Sequence, residues 1–280
     1  MTMRLRCKPD LRRIVLVLAF LTITAGCAGV ERQSEPAAVP LMRPGSPASY
    51  LPAEALPNSV ALLPPPPAAG SPLQTADEEI ARKTRALQGT PRWALATVDD
   101  DLKFPHAAGA FSCALNAPIT EEATPHLSTL LRRSLVDAGL STFAAKDQYG
   151  RVRPFVVNME PICAPEAERA MLLKSPSYPS GHAAIGWAWA LILTEAAPER
   201  TDVVLARGLA YGQSRVICNV HWQSDVDAGR LMGAATVARL HADPAFRADL
   251  EAAKAEVAAA RAKGLKPTGD CTAEAGALAE

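Results

Sequence analysis

The stretch that most constrains this chain is Ala183 to Leu193, a run of helical length without a charge. It is apolar almost all round, as a helix is when every side of it is buried. Pro198 should break it. The neighbouring sequence alternates nowhere in the way of a half-buried strand, and no internal repeat is visible. The fold class is therefore all-α: a helical bundle around a buried central helix.

Other helices can be read in order. Thr75-Ala76-Asp77-Glu78 has the pattern of a capping box. Ile80, Thr84 and Leu87 follow at helical spacing, and Gly89 and Pro91 end that helix. Residues 93–98 and 104–115 suit short helices. Thr120 should cap a helix with Leu127, Leu130, Leu131 and Leu135 on its apolar face, stopped by Gly139, with Arg132 and Arg133 solvated. The next helix carries Lys146, and Pro154 should end it near Arg153. Phe155-Val156-Val157 reads as a short extended piece, with an irregular stretch up to Ser177. Residues 202–218 form a helix with Leu205, Leu209 and Val216 inward. Residues 225–241 form one of small residues, which allows close packing. Residues 250–262 read as an exposed, Ala-rich helix, followed by a frayed tail.

The N-terminus has a different character. A basic start precedes the apolar run Ile14 to Ile23, too short to span a bilayer but suited to an export signal over residues 1–26. Thr24-Ala25-Gly26-Cys27 resembles a lipoprotein cleavage box, which makes Cys27 the expected lipidated N-terminus of a periplasmic, membrane-tethered protein. From Pro36 to Pro72 there are eleven prolines, so residues 27–74 read as a semi-rigid spacer. The folded domain is expected over residues 75–265, with 266–280 as its tail. No later run is apolar and long enough to cross a membrane. The whole chain carries 29 basic and 29 acidic residues; five basic residues and one acidic residue precede Cys27, leaving 24 against 28. A mildly acidic remainder argues against a nucleic-acid partner. Cys113, Cys163, Cys218 and Cys271 then suggest two disulfides, with three pairings open. No Cys or His spacing suits zinc, so no metal or other cofactor is expected.

Three stretches carry chemistry. His221 and Asp225 are four apart, which on a helix places them on one face. A carboxylate beside one ring nitrogen fixes the tautomer and leaves the other lone pair free. Arg215 adds a planar fork of donors suited to phosphate. Pro179-Ser180-Gly181-His182 opens the apolar helix, where free N–H groups make an anion site. Lys146 and Arg153 add two cations.

In order, these stretches match K-x6-R-P, P-S-G-H and S-R-x5-H-x3-D. The chain thus resembles the type 2 phosphatidic acid phosphatase superfamily, and within it the soluble bacterial class A non-specific acid phosphatases. Ser177-Tyr178, Ala184-Ile185-Gly186-Trp187, Gly212-Gln213 and Val226-Asp227 extend the likeness, which covers roughly residues 76–263. The resemblance implies metal-independent hydrolysis of small phosphomonoesters through a phosphohistidine, with phosphotransfer to alcohols as a side activity and a homodimer as a common assembly. It implies His221 as nucleophile, Asp225 as its orienting partner and His182 as general acid. Lys146, Arg153, Arg215 and the N–H groups near Ser180 and Gly181 would bind the phosphate oxygens. His106, His126 and His241 match no motif position; Tyr178 and Trp187 read as packing. A vanadium haloperoxidase has a similar cage but is disfavoured by Asp225 and the small size. A membrane lipid phosphatase would need several spanning helices. A phosphate-binding lipoprotein would need neither His182 nor Asp225.

Overall fold

The computed structural model describes residues 49–280. The export signal, Cys27 and the first part of the spacer lie outside the described residues. Among the described residues there are helices and no strand.

Side-chain caps and prolines set many of the helix starts. Asn58 accepts from the N–H groups of Val60 and Ala61 and caps α1 (Ser59–Leu62). Ser71 caps α2 (Pro72–Thr84), where a proline in the first turn has no N–H to lose. That helix thus starts ahead of the capping box read at Thr75, whose hydroxyl donates back to the Ser71 carbonyl instead. Thr90 caps α3 (Pro91–Val98) in the same way. Two short helices follow, α4 (His106–Gly109) and α5 (Ser112–Leu115), then the long α6 (Pro125–Leu140), which runs through the buried Gly139 rather than stopping there. Next comes α7 (Phe143–Tyr149), ended by Gly150 in the left-handed region. Pro154 opens α8 (Pro154–Asn158), so it begins a helix rather than ending one, and the extended piece read at Phe155 is helical. The remaining helices are α9 (Glu166–Leu172), α10 (Gly181–Ala196), α11 (Thr201–Ile217), α12 (Gln223–Leu240), α13 (Pro244–Ala262) and α14 (Cys271–Leu278).

Helix α10 holds the apolar run and packs against α6, α11, α12 and α13. Ala184, Ile185, Ala188, Trp189, Ile192 and Leu193 are buried along it. Trp189 satisfies its one polar atom by donating to the Leu131 carbonyl at 2.9 Å. Helix α12 lies close because its facing residues are small. A Cβ at Gly229 would collide with the Ser180 carbonyl, and one at Gly233 with the Ala184 carbonyl. That close approach draws the start of α12 toward the start of α10.

The domain is larger than the periodicity indicates. The N–H groups of Tyr50 and Leu51 donate to the Asp137 carboxylate, each at 3.0 Å. Ala145 N–H donates to Ser59 Oγ, and Tyr178 O–H to the Pro64 carbonyl. Residues 49–74 are thus part of the folded domain, not spacer; they attach through backbone groups and single anchors, which leave no periodic trace. Arg133 and Arg132 are not simply solvated: they stack over Tyr50 and Phe104 and pair with Asp249 and Glu121. Leu209 points outward, while α13 buries Phe246, Leu250, Ala253 and Val257 against the bundle. The tail is ordered as α14, held by the Cys113–Cys271 disulfide and by Glu274 against Arg207. The second disulfide joins Cys163 to Cys218.

Candidate active site

Six segments deliver the motif residues to one place. Helix α7 brings Lys146. Pro154 holds the preceding Arg153 extended, at φ −74° and ψ 152°. The start of α10 supplies Ser180, Gly181 and His182, and the end of α11 supplies Arg215. Asn219 takes a left-handed turn at φ 61°, which folds the chain back so that Val220 and His221 both donate N–H to the Arg215 carbonyl. Asp225 sits in the first turn of α12.

His221 and Asp225 do meet, but not on one helix face. His221 precedes α12, and the Asp225 carboxylate reaches back over the helix start, accepting from Trp222 N–H at 2.8 Å. Its Oδ2 lies 3.4 Å from His221 Nδ1. On the other side of the ring, Arg153 Nη1 is 3.1 Å from Nε2. A guanidinium can only donate, so Nε2 carries the lone pair and Nδ1 the proton facing Asp225. Burial, with Arg153, Lys146 and Arg215 nearby, holds the ring well below the usual imidazole pKa, so it is neutral. Burial also pushes the Asp225 carboxyl up, opposed chiefly by Arg151.

The cations are buried too. Lys146 Nζ donates to the Pro176 carbonyl at 2.8 Å, and burial together with Arg153 lowers its pKa to about 7. Arg153 also donates to the carbonyls of Leu172, Ser175 and Val220. Burial and Arg215 bring its pKa down to about 9. Arg215 is fully buried and pairs with the Asp100 carboxylate. Three cations and a neutral imidazole around one point suit a tetrahedral oxyanion.

Ser180 caps α10 by accepting from Ala183 N–H, and its own N–H is taken by the Asp225 carbonyl at 2.9 Å. The anion donors left at this helix start are therefore the first-turn N–H groups of Gly181 and His182, not that of Ser180. His182 has 18 % of its side chain exposed and is the most open of the titratable motif residues, which marks the mouth of the cage. Its Nε2 is 3.0 Å from the Asp100 carbonyl, which can only accept, so this ring is protonated at Nε2 and the opposite tautomer from His221. Burial first, then Arg215, lowers its pKa to about 3, with Asp100 opposing.

The motif reading misses four residues. Arg151 donates to Asp225 Oδ1 at 2.6 Å, to Asp77 at 2.8 Å and to Ser224 at 2.7 Å, closing a buried charge network behind His221. Asp77 also accepts from Ser224 N–H. Asp100 touches Arg215 and His182. Their partners lie far off in sequence, so spacing carries no trace of them; the one local signal is that Arg151 stands two before Arg153. His106 and His126 are exposed and His241 pairs with Glu195, all apart from the cage. Tyr178 packs on Tyr149, and Trp187 lies against α11 at Gly208.

Comparison with known proteins gives the same picture. Residues 127–248 match the family model of the PAP2 superfamily. A non-specific acid phosphatase of Providencia stuartii is 48% identical over 202 residues, which is 72% of this chain and 81% of the relative. The chain belongs to the PAP2 superfamily, among its class A non-specific acid phosphatases. An acid phosphatase of Zymomonas mobilis is 43% identical over 73% of this chain and 77% of its own length. A non-specific acid phosphatase of Salmonella typhimurium is 44% identical over 71% and 80%. Among the described residues of this acid phosphatase, no helix is long and apolar enough to cross a membrane.

Proposed function

We propose that this acid phosphatase hydrolyses small phosphomonoesters in two steps through a phosphohistidine at His221. The observation that carries the reading is the buried, neutral His221 ring, with its Nε2 lone pair aimed at Arg153 and within a cage of three cations. As the substrate binds, Arg153 turns its Nη1 from Nε2 to a phosphate oxygen; the freed Nε2 lone pair attacks phosphorus, the ester P–O bond breaks, and the leaving oxygen takes a proton from His182. Lys146, Arg153, Arg215 and the N–H groups of Gly181 and His182 hold the equatorial oxygens, the main catalytic term expected for phosphoryl transfer. Asp225 balances the positive charge that forms on His221.

Burial and Arg215 hold His182 neutral at working pH. Its proton therefore arrives with the substrate, which as a phosphate ester has a second pKa of about 6 and is partly monoanionic in acid. The bound anion also favours the imidazolium. In the second step His182 removes a proton from water, which attacks the phosphohistidine and releases phosphate. An alcohol in place of water gives phosphotransfer.

Fixed cations do the work a metal does elsewhere, so no metal is required. Export by residues 1–26 and lipidation at Cys27 would set the domain in the periplasm, tethered by residues 28–48. Rates on a panel of alkyl and aryl phosphomonoesters, with and without EDTA, test the reaction. Activity that EDTA leaves intact is expected; loss on chelation and recovery with zinc or magnesium contradicts it.

A further inference from the structure

The turn after α3 carries two buried acids, Asp99 and Asp100, 1 % and 4 % exposed. Asp99 is fixed from behind: Arg207 Nη1 and Ser214 Oγ donate to its Oδ2 at 3.1 and 2.6 Å. That anchorage holds Asp100 at the edge of the cage. The Asp100 carbonyl oxygen is 3.0 Å from His182 Nε2. Its carboxylate pairs with Arg215, and Oδ1 lies 3.9 Å from His182 Nε2. Glu168 of α9 stands beside the same carboxylate, with Lys103 near Glu168.

The Asp100 carboxylate is in close contact with Arg215 Nη1 and interacts with the Glu168 side chain as well. That carboxylate serves as a placeholder, because it neutralises a buried cation that would otherwise stand unpaired. A phosphate oxygen offers the same guanidinium an equivalent anionic partner and can take its place.

We propose that Asp100 is a positioning residue of the phosphatase reaction: its carbonyl oxygen holds His182 with Nε2 protonated and Nδ1 left for the leaving group, and its carboxylate occupies Arg215 until a phosphate oxygen displaces it. This rests on reading the cage as the phosphate site. Two consequences run in opposite directions. Without the carboxylate, Arg215 has no internal competitor, so orthophosphate binds more tightly. The displaced carboxylate also stands beside His182, where its negative charge favours the imidazolium; without it, protonation of a poor leaving group slows. A merely structural clamp would give a different pattern, because its loss would weaken phosphate binding.

The test is Asp100→Asn, with Asp100→Ser read in its place if the first variant does not fold; both keep the backbone carbonyl. Calorimetry gives the Kd for orthophosphate independently of turnover. Tightening of about tenfold is expected, the order of one charged contact. The ratio of aryl to alkyl phosphate kcat should rise together with that tightening. Equal or weaker phosphate binding in the variant overturns the proposal even when the wild type binds phosphate and turns over. Absence of phosphate binding in the wild type overturns the cage reading as well.

Discussion

Arg153 Nη1 donates to His221 Nε2 across 3.1 Å, so the ring's lone pair faces the cation that would hold a phosphate oxygen. The opposite nitrogen faces Asp225 at 3.4 Å. Arg153 and Asp225 thus flank the two ring nitrogens of His221.

The charge network behind His221 should matter as much as these two contacts. Arg151 is 8 % exposed and neutralises Asp225 and Asp77 together. Arg151→Met leaves two buried carboxylates without their partner, a change that costs about 3–5 kcal/mol. Thermal melts should show a fall in Tm of roughly 6–20 °C. Arg151→Lys should recover part of the stability. In either variant that folds, kcat should fall more than KM rises, because the lost group orients the nucleophile rather than holding the substrate.

The pH profile should follow Lys146. Its pKa of about 7 means it is charged below that pH and neutral above it. kcat/KM reports free enzyme and free substrate, so it should fall as pH rises through about 6, where the ester loses the proton it brings, and more steeply through about 7, as the cage loses one positive charge. His221 is held well below its ordinary pKa, so mild acid leaves the nucleophile unprotonated. Lys146→Arg keeps its charge at all working pH values. Its alkaline limb should become shallower, keeping only the fall set by the substrate, and an unchanged limb would assign the step near 7 to another group.

The two disulfides should be separable. Cys218 stands three residues before His221 and is joined to Cys163. Cys113–Cys271 holds α14, whose Glu274 meets Arg207 and not the cage. Each bridge contributes about 2–5 kcal/mol to stability. Replacing the Cys163–Cys218 pair by serines should lower kcat, whereas replacing the Cys113–Cys271 pair should lower Tm and change kcat less, since α14 reaches the cage indirectly, through Arg207 and Asp99. Equal kcat losses would show that the first bridge does not brace the site.

The N-terminus is tested separately. Mass spectrometry of protein from its native host should show Cys27 as the first residue, carrying acyl chains. An unmodified N-terminus elsewhere rejects the lipid anchor.

Much of the site was legible because its residues are fixed at short spacings. Lys146 to Arg153, Ser180 to His182 and Arg215 to Asp225 are each short stretches of sequence whose spacings match the motifs of the family that the chain resembles. The apolar helix was legible because it has no polar face. Tyr50, Asp77 and Asp100 were not legible, because each acts through a partner more than fifty residues away. Pro154 misled for a local reason: a proline that ends one helix suits equally well the first turn of the next. The i, i+4 reading of His221 and Asp225 found the right pair by the wrong route, since Asp225 reaches His221 by capping the helix start.

The most direct measurement is to trap the intermediate. Wild type, His182→Ala and His221→Ala are mixed with phosphorus-labelled aryl phosphate and quenched in alkaline denaturant, which preserves phosphohistidine, and the labelled peptide is sequenced by mass spectrometry. The label should lie on His221 in wild type and in His182→Ala. His221→Ala should carry no label and lose at least about a thousandfold in kcat. His182→Ala should slow alkyl esters by about 10²–10⁴-fold and aryl esters far less. Label on any other residue, or a phosphoenzyme in His221→Ala, would contradict the account.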